Sequence, residues 1–374
     1  MPLYLRFLGT PPRDVPLWTG IISALAYVLG LPLIPFWGVW ADKYSRRAVI
    51  ARSAFVEMLV FAGIALSRNR FQLVVPALMV GLQLGNTGVM LSSLRAVTPP
   101  RHLGLVISLF ALTPPLGIAL GPALGGVLVD SHVFDLRGLY LLDGILSAGT
   151  GLMLTLGYRE ARPEHPPTAP VLRLARQAVR QVFTVRVTLL LFAIFGLGAL
   201  ANNIAAPFFP LVVQRLHRGA GLATAIGVVF GASALVGAAL SPVGGYLGDR
   251  FGHRRVLVAA TAIAGLALGA MAQAANLVQL TLAAVVLGAA YATTSAMVFA
   301  LLATEVPDER RSATLNLVYV PLYFAGIVGG SLGAAITRAL GLDAVLLTGA
   351  LVALGAAVLA LASANRRAGL TPAA

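Results

Sequence analysis

Of the chain's 374 residues, 58% are hydrophobic and 11% charged, with a mean hydropathy of +0.88; soluble domains carry about 25% charged residues, so a water-soluble globular protein is excluded. Cysteine is absent, which excludes a disulfide framework, a thiolate nucleophile and a cysteine-held cluster. The formal charge of +14 would suit a nucleic-acid partner, but the placement of the arginines, described below, argues against one.

Eleven apolar runs are long enough to cross about 30 Å of hydrocarbon at 1.5 Å per residue. They cover 16–41, 48–67, 71–94, 103–129, 138–157, 187–213, 220–247, 256–275, 277–303, 313–337 and 343–363. Segments of about ten residues alternating in polarity, the mark of a membrane barrel, are not seen, and the fold class expected is an all-α integral membrane protein. Between the fifth and sixth runs, REARPEHPPTAP at 159–170 reads as a polar, Pro-rich linker. The following VLRLARQAVRQVF places Arg173, Arg176 and Arg180 on one helical face, with Leu172, Val179 and Phe183 roughly opposite. That pattern fits a helix lying on the cytoplasmic leaflet, and equally an extension of the next span. The expected organisation is a bundle at 1–158, a linker at 159–185 and a second bundle at 186–374.

With the loop at 42–52 placed inside, most of the 27 Lys and Arg fall on the cytoplasmic side, Arg52 counted among them. This is the positive-inside rule, which sets topology without requiring a polyanionic partner. The five histidines lie in or beside loops, so no metal site is expected.

The charges repeat. GVWADKYSRR at 38–47 and GYLGDRFGHR at 245–254 share G-x-x-x-D followed by basic residues, 207 positions apart, and PLYLRFLG at 2–9 resembles PLVVQRLHRG at 210–219. The two halves read as copies. One apolar run lies before Gly38 but two lie between Val187 and Gly245, so residues 2–9 correspond to the tail of a helix whose body is missing. Twelve helices are expected of the complete pattern.

Six plus six helices with this duplicated cluster resemble the major facilitator superfamily of secondary transporters. Gly38, Ala41, Asp42, Lys43, Arg46 and Arg47 match the family's signature, with Trp40 and Ser45 as departures; Gly245, Leu247, Asp249, Arg250, Gly252 and Arg254 match in the second copy, with Gly248 and His253 as departures. A small residue at a helix end permits close approach, and an Asp there accepts hydrogen bonds from a helix N-terminus or pairs with Arg. The resemblance implies a latch that holds the cytoplasmic side closed while two bundles rock about a midplane site. The plainer reading is a pair of basic loops that set topology.

GIALGPALGG at 117–126 puts Gly117, Gly121 and Gly125 on one helix face for close packing, beside Pro122 and Gly126. It resembles the G-x-x-x-G-P-x-x-G-G motif of drug:proton antiporters, with Ser108 in place of a further Gly of the longer form. An ordinary small-residue interface is the alternative. With LWTGI at 17–21, PFWGVWAD at 35–42 and ARSAF at 51–55, the chain resembles bacterial twelve-helix multidrug-resistance exporters. The resemblance implies efflux of small lipophilic compounds by proton antiport, by a monomer in the bacterial cell membrane, with no enzyme activity, cofactor or metal. One departure touches coupling: the family usually carries an Arg early in its fourth helix, where Pro76 and Ala77 stand.

Two acids lie well inside apolar runs, Glu57 and Asp143, and such acids cost roughly 2.5–3.5 kcal/mol at a helix centre on insertion scales. Glu57 is the better proton-coupling candidate; a structural role at the bundle periphery is the alternative. Candidate substrate contacts are Gln83, Asn86, Asn202, Asn203, Tyr291, Thr294, Asn316, Tyr319 and Tyr323, with Ser295 beside them; interhelical hydrogen bonding is the alternative for each. Lys43, the single lysine, is followed by Tyr44, so no P-loop is present. A narrow metabolite or sugar carrier of the same fold, or a truncated copy that transports nothing, are the competing functions.

Overall fold

The structure, a computed structural model, describes residues 1–158, 160, 169–184, 186–306, 314 and 317–368. Asn316, Arg310 and Arg311 therefore lie outside the described residues. Among those described, eleven helical segments are long and apolar enough to span a bilayer, and every one overlaps a run read from the sequence.

The helices in chain order are α1 (Pro2–Phe7), α2 (Val15–Val28), α3 (Gly30–Lys43), α4 (Arg46–Leu66), α5 (Val74–Gln83), α6 (Thr87–Val97), α7 (Leu103–Asp130) and α8 (Leu136–Gly157). They continue with α9 (Val171–Phe183), α10 (Arg186–Ala205), α11 (Phe209–Leu216), α12 (Leu222–Phe251), α13 (His253–Ala272), α14 (Leu277–Glu305), α15 (Tyr319–Leu340) and α16 (Leu342–Ala368). Polar residues at the run ends set several boundaries. Ser45, Asp135 and Asn276 cap α4, α8 and α14 by accepting from the backbone N–H of Ala48, Gly138 and Gln279, which satisfies donors the helix itself leaves free. Gly252, at φ +92°, lets the chain reverse between α12 and α13. Inside the spans, Thr19, Thr261 and Thr337 donate their hydroxyls to carbonyls four residues earlier, so these hydroxyls are not left unpaired against hydrocarbon.

The sequence repeat is a structural repeat. α1, α2 and α4 start at 2, 15 and 46, and α11, α12 and α13 at 209, 222 and 253, each pair 207 positions apart. α1 and α11 also touch. α1 is held in the core by Tyr4 and Leu5, 1% and 0% exposed, with the Tyr4 hydroxyl donating to Ile64 O at 2.7 Å.

Two long seams join the halves, α7 against α12 and α2 against α15, and both are built from missing side chains. A Cβ at Gly227 would meet the Pro122 carbonyl, one at Gly231 the Ala119 carbonyl, one at Gly126 the Ala223 carbonyl, and one at Gly20 the Gly330 carbonyl. With hydrocarbon on all sides, packing of this kind replaces hydrophobic burial as the force between helices. The α7–α12 seam lies toward the end away from the charge clusters; Gly38 and Gly245, beside the clusters, face open space.

Candidate functional site

Each charge cluster is bonded within its own half and linker. Asp42 accepts from Arg46 Nη2 at 3.0 Å and Nε at 3.2 Å. Lys43 Nζ donates to Ala169 O at 2.8 Å, just before α9, and Arg47 reaches Tyr158 O at 3.5 Å. Glu160 in the linker accepts from the Ser45 hydroxyl at 2.7 Å and from the Arg46 backbone N–H, so a carboxylate sits on the positive end of α4. In the second copy Asp249 lies 3.3 Å from His253 Nε2, and Arg250 donates to the Tyr246 hydroxyl at 3.4 Å. Arg254 forms a two-pronged pair with Glu305 at 2.9 and 2.6 Å and also reaches Ser363.

The motif in α7 packs differently from the sequence expectation. Gly117 and Gly121 have no atom within 4 Å of a Cβ position, and Gly125 faces Leu139 of α8. The close approach to α12 runs instead through Gly126 and the carbonyls of Ala119 and Pro122. Of the three glycines at four-residue spacing, only Gly125 meets a neighbour. The contact falls beside them because the facing glycines, Gly227 and Gly231, belong to α12 and receive the backbone of Ala119, Pro122 and Ala123.

Several substrate-contact candidates converge where a span breaks. α5 ends at Gln83, Leu84 is extended at ψ 166°, Gly85 has φ +83°, and α6 begins at Thr87. The break falls near the middle of the Val74–Val97 span. Asn86 Nδ2 donates to Ser53 Oγ at 2.6 Å. Tyr319 stands beside Thr87, and Tyr323, 7% exposed, beside the Gly85 backbone. The rings of Tyr27 and Tyr319 lie 5.5 and 6.2 Å from that of Tyr323. Tyr27 and Thr87 had no sequence signal.

The remaining candidates lie apart from this group. Asn203 donates to Ala199 O at 2.8 Å within its own helix and packs on Gly329, and Asn202 precedes it on α10. Tyr291 and Thr294 share α14, with both hydroxyls buried and without a partner among the described residues. Glu57 of α4 faces α8, where Ser147 lies beside it and Asp143 acts on it electrostatically. An apolar groove of about 620 Å³ between α12, α13 and α14, lined by Leu240, Leu247, Ile263 and Val286 among others, contains none of the candidates.

Arg52, counted in the sequence as a loop arginine, is corrected to a position inside the span. It sits on α4, its guanidinium carbon 3.5 Å from the centroid of the Trp37 ring, with Nη2 donating to Leu84 O at 3.2 Å. Arg70 and Arg215 pair instead with Asp14 and Asp343. The carboxylate of Asp130, at the end of α7, accepts from both the backbone N–H and the hydroxyl of Thr224 at 2.7 Å, which ties the first half to the first turn of α12 in the second.

The comparisons with known proteins agree with this architecture. The sequence model described as Major Facilitator Superfamily matches residues 2–226 and 197–373. The multidrug resistance protein MdtG of Enterobacter lignolyticus is 28% identical over 362 residues, covering 96% of this chain and 85% of that protein; the MdtG of Serratia proteamaculans is 29% identical over 369 residues, covering 96% and 87%. Among solved structures, a mutant form of the nucleoside transporter NupG superposes with a TM-score of 0.76 at 15% identity, over 93% of this chain and 90% of that one. Duplicated halves, glycine seams, paired charge clusters and the family match together place this multi-pass membrane protein in the Major Facilitator Superfamily, whose members move small molecules across membranes.

Proposed function

We propose that the chain exports small lipophilic compounds from bacterial cells in exchange for protons, as a monomer in the cell membrane, by alternating access. The observation that carries this reading is similarity over 96% of the chain to proteins named for multidrug resistance, joined to a break in the middle of a span lined by tyrosines, amides and the Arg52 guanidinium. The bundles at 1–158 and 186–374 are the rocking units, joined by the linker at 159–185. The glycine seams and the Asp130–Thr224 bond close the end away from the clusters, while Gly38 and Gly245 stand clear of neighbours at the basic end. That combination supports an inward-facing state, in which the paired clusters are disengaged and Asp42 turns back on Arg46. The α7 motif serves the seam through Pro122 and Gly126, while Gly125 takes Leu139 of α8 and Gly117 and Gly121 face open space.

Glu57 is the proposed proton carrier, with Ser147 beside its carboxyl group and the charge of Asp143 acting on it. The deciding measurement is accumulation of a lipophilic fluorescent dye by cells expressing the chain, before and after a protonophore. Lower accumulation that the protonophore abolishes is expected, and Glu57→Gln removes most of that difference while leaving dye binding to purified protein intact. Unchanged accumulation with well-inserted protein would favour a narrow metabolite carrier or an inactive copy.

A further inference from the structure

Among the described residues, Arg52 is a charge without a counter-charge. It lies six residues into α4, about 9 Å along the axis at 1.5 Å per residue, and its side chain extends toward the middle of the neighbouring span. Only Nη2 has an acceptor, the Leu84 carbonyl freed by the helix break; Nε and Nη1 are buried and have no partner among the described residues, and no carboxylate pairs with the group there. Nε1 of Trp37, whose ring lies under the guanidinium, is a third buried donor without an acceptor, and Oε1 of Gln83, next to Leu84, is a buried acceptor without a donor. A cation held in a bilayer interior normally pairs with an acid or with backbone carbonyls, and donors left unmade cost as much as lost bonds. The ring face offsets part of this. Three orphan donors and a positive charge beside an interrupted helix call for an acceptor that the described residues do not supply.

We propose that this acceptor is the anionic group of the exported compound: Arg52, with Trp37 as its platform, is a specificity-determining residue that selects amphiphiles bearing a carboxylate over cations with the same lipophilic body. The orphan oxygen of Gln83 takes an O–H or N–H on the same compound. The inference rests on the efflux reading and deepens it. In the state described here the donors are sealed by the packing of α3 on α4, so the anion enters as Trp37 moves off the guanidinium.

The test uses purified full-length protein in neutral detergent at neutral pH with two fluorophores of equal body, 4-(1-pyrenyl)butanoate and 4-(1-pyrenyl)butylammonium. Binding is read by energy transfer from tryptophan, and export by dye loss from loaded cells. Wild type should bind and export the carboxylate about tenfold better than the ammonium, as one charge-assisted pair implies. Arg52→Gln keeps a donor for the Leu84 carbonyl but removes the charge, and should bring the two ligands to within about twofold of each other, whereas Arg52→Lys restores part of the preference. A merely structural role for Arg52 would lower stability or total binding without moving that ratio. Equal handling of both ligands by wild type, or an unchanged ratio in a monodisperse Arg52→Gln protein, overturns the inference while the efflux reading stands. If Arg52→Gln does not fold, the wild-type ratio and its retention or loss in Arg52→Lys decide. Failure of wild type to bind or export either ligand overturns both.

Discussion

At the residue scale, the same arginine chemistry serves different ends according to its partners. Arg254 is satisfied: two short bonds to Glu305, with side chains 18% and 16% exposed, fasten the start of α13 to the end of α14. Removing the carboxylate with Glu305→Ala leaves a mostly buried guanidinium short of acceptors and should cost about 2 kcal/mol, seen as a thermal midpoint lowered by a few degrees. Arg46, whose carboxylate partner Asp42 is 54% exposed, should show little change when that partner is removed, since surface pairs are worth about 0–1 kcal/mol. An equal loss from Asp42→Ala would mean that the pair is more closely held than its exposure implies.

At the element scale, glycines of identical appearance in the sequence divide into two kinds. Gly227 faces the Pro122 carbonyl with no room for a methyl group, whereas Gly245 faces open space. Gly227→Val should therefore push α7 from α12 and cost roughly 1–3 kcal/mol in thermal unfolding, while Gly245→Ala should leave the fold within about 0.5 kcal/mol of wild type. The spans themselves were legible in the sequence because a helix crossing hydrocarbon must be apolar for its whole length. The expected run at 103–129 meets α7 at 103–130, and 277–303 meets α14 at 277–305. The interruptions were not legible: 71–94 read as one helix because Gln83, Gly85 and Asn86 are each tolerated inside a membrane helix. Their break depends on Arg52 and Ser53 of α4 holding the freed groups. The parting of α2 from α3 at Leu29 falls beside Gly30 and Pro32, whose missing N–H cannot bond to the Val28 carbonyl, within a run read as one helix over 16–41.

At the scale of the whole molecule, the repeat offset read from the charge clusters is the offset of the helices themselves, so the architecture was legible. The candidate site was legible only in part. Tyr319 and Tyr323 were found by helical spacing, but their meeting with Tyr27, Thr87 and the broken span joins residues far apart in the chain, which no local pattern encodes. Asp130 belongs to the same class: its bond to Thr224 crosses from one half to the other. Because the chain has no native cysteine, a single Ala223→Cys reports on that seam directly. Asp130→Ala should raise its labelling by a membrane-impermeant maleimide roughly fivefold or more, as the loss of one or two kcal/mol from a two-state closure implies; unchanged labelling would show that the glycine contacts alone hold the seam. The seam also sets an order of events in time. Among the described residues, Asp130 and Thr224 tie the seam at the start of α12, and behind that tie Gly227 and Gly231 bring α12 against backbone carbonyls of α7. Under the alternating-access reading proposed above, the Asp130 carboxylate is the clasp that must let go of Thr224 before the seam can part.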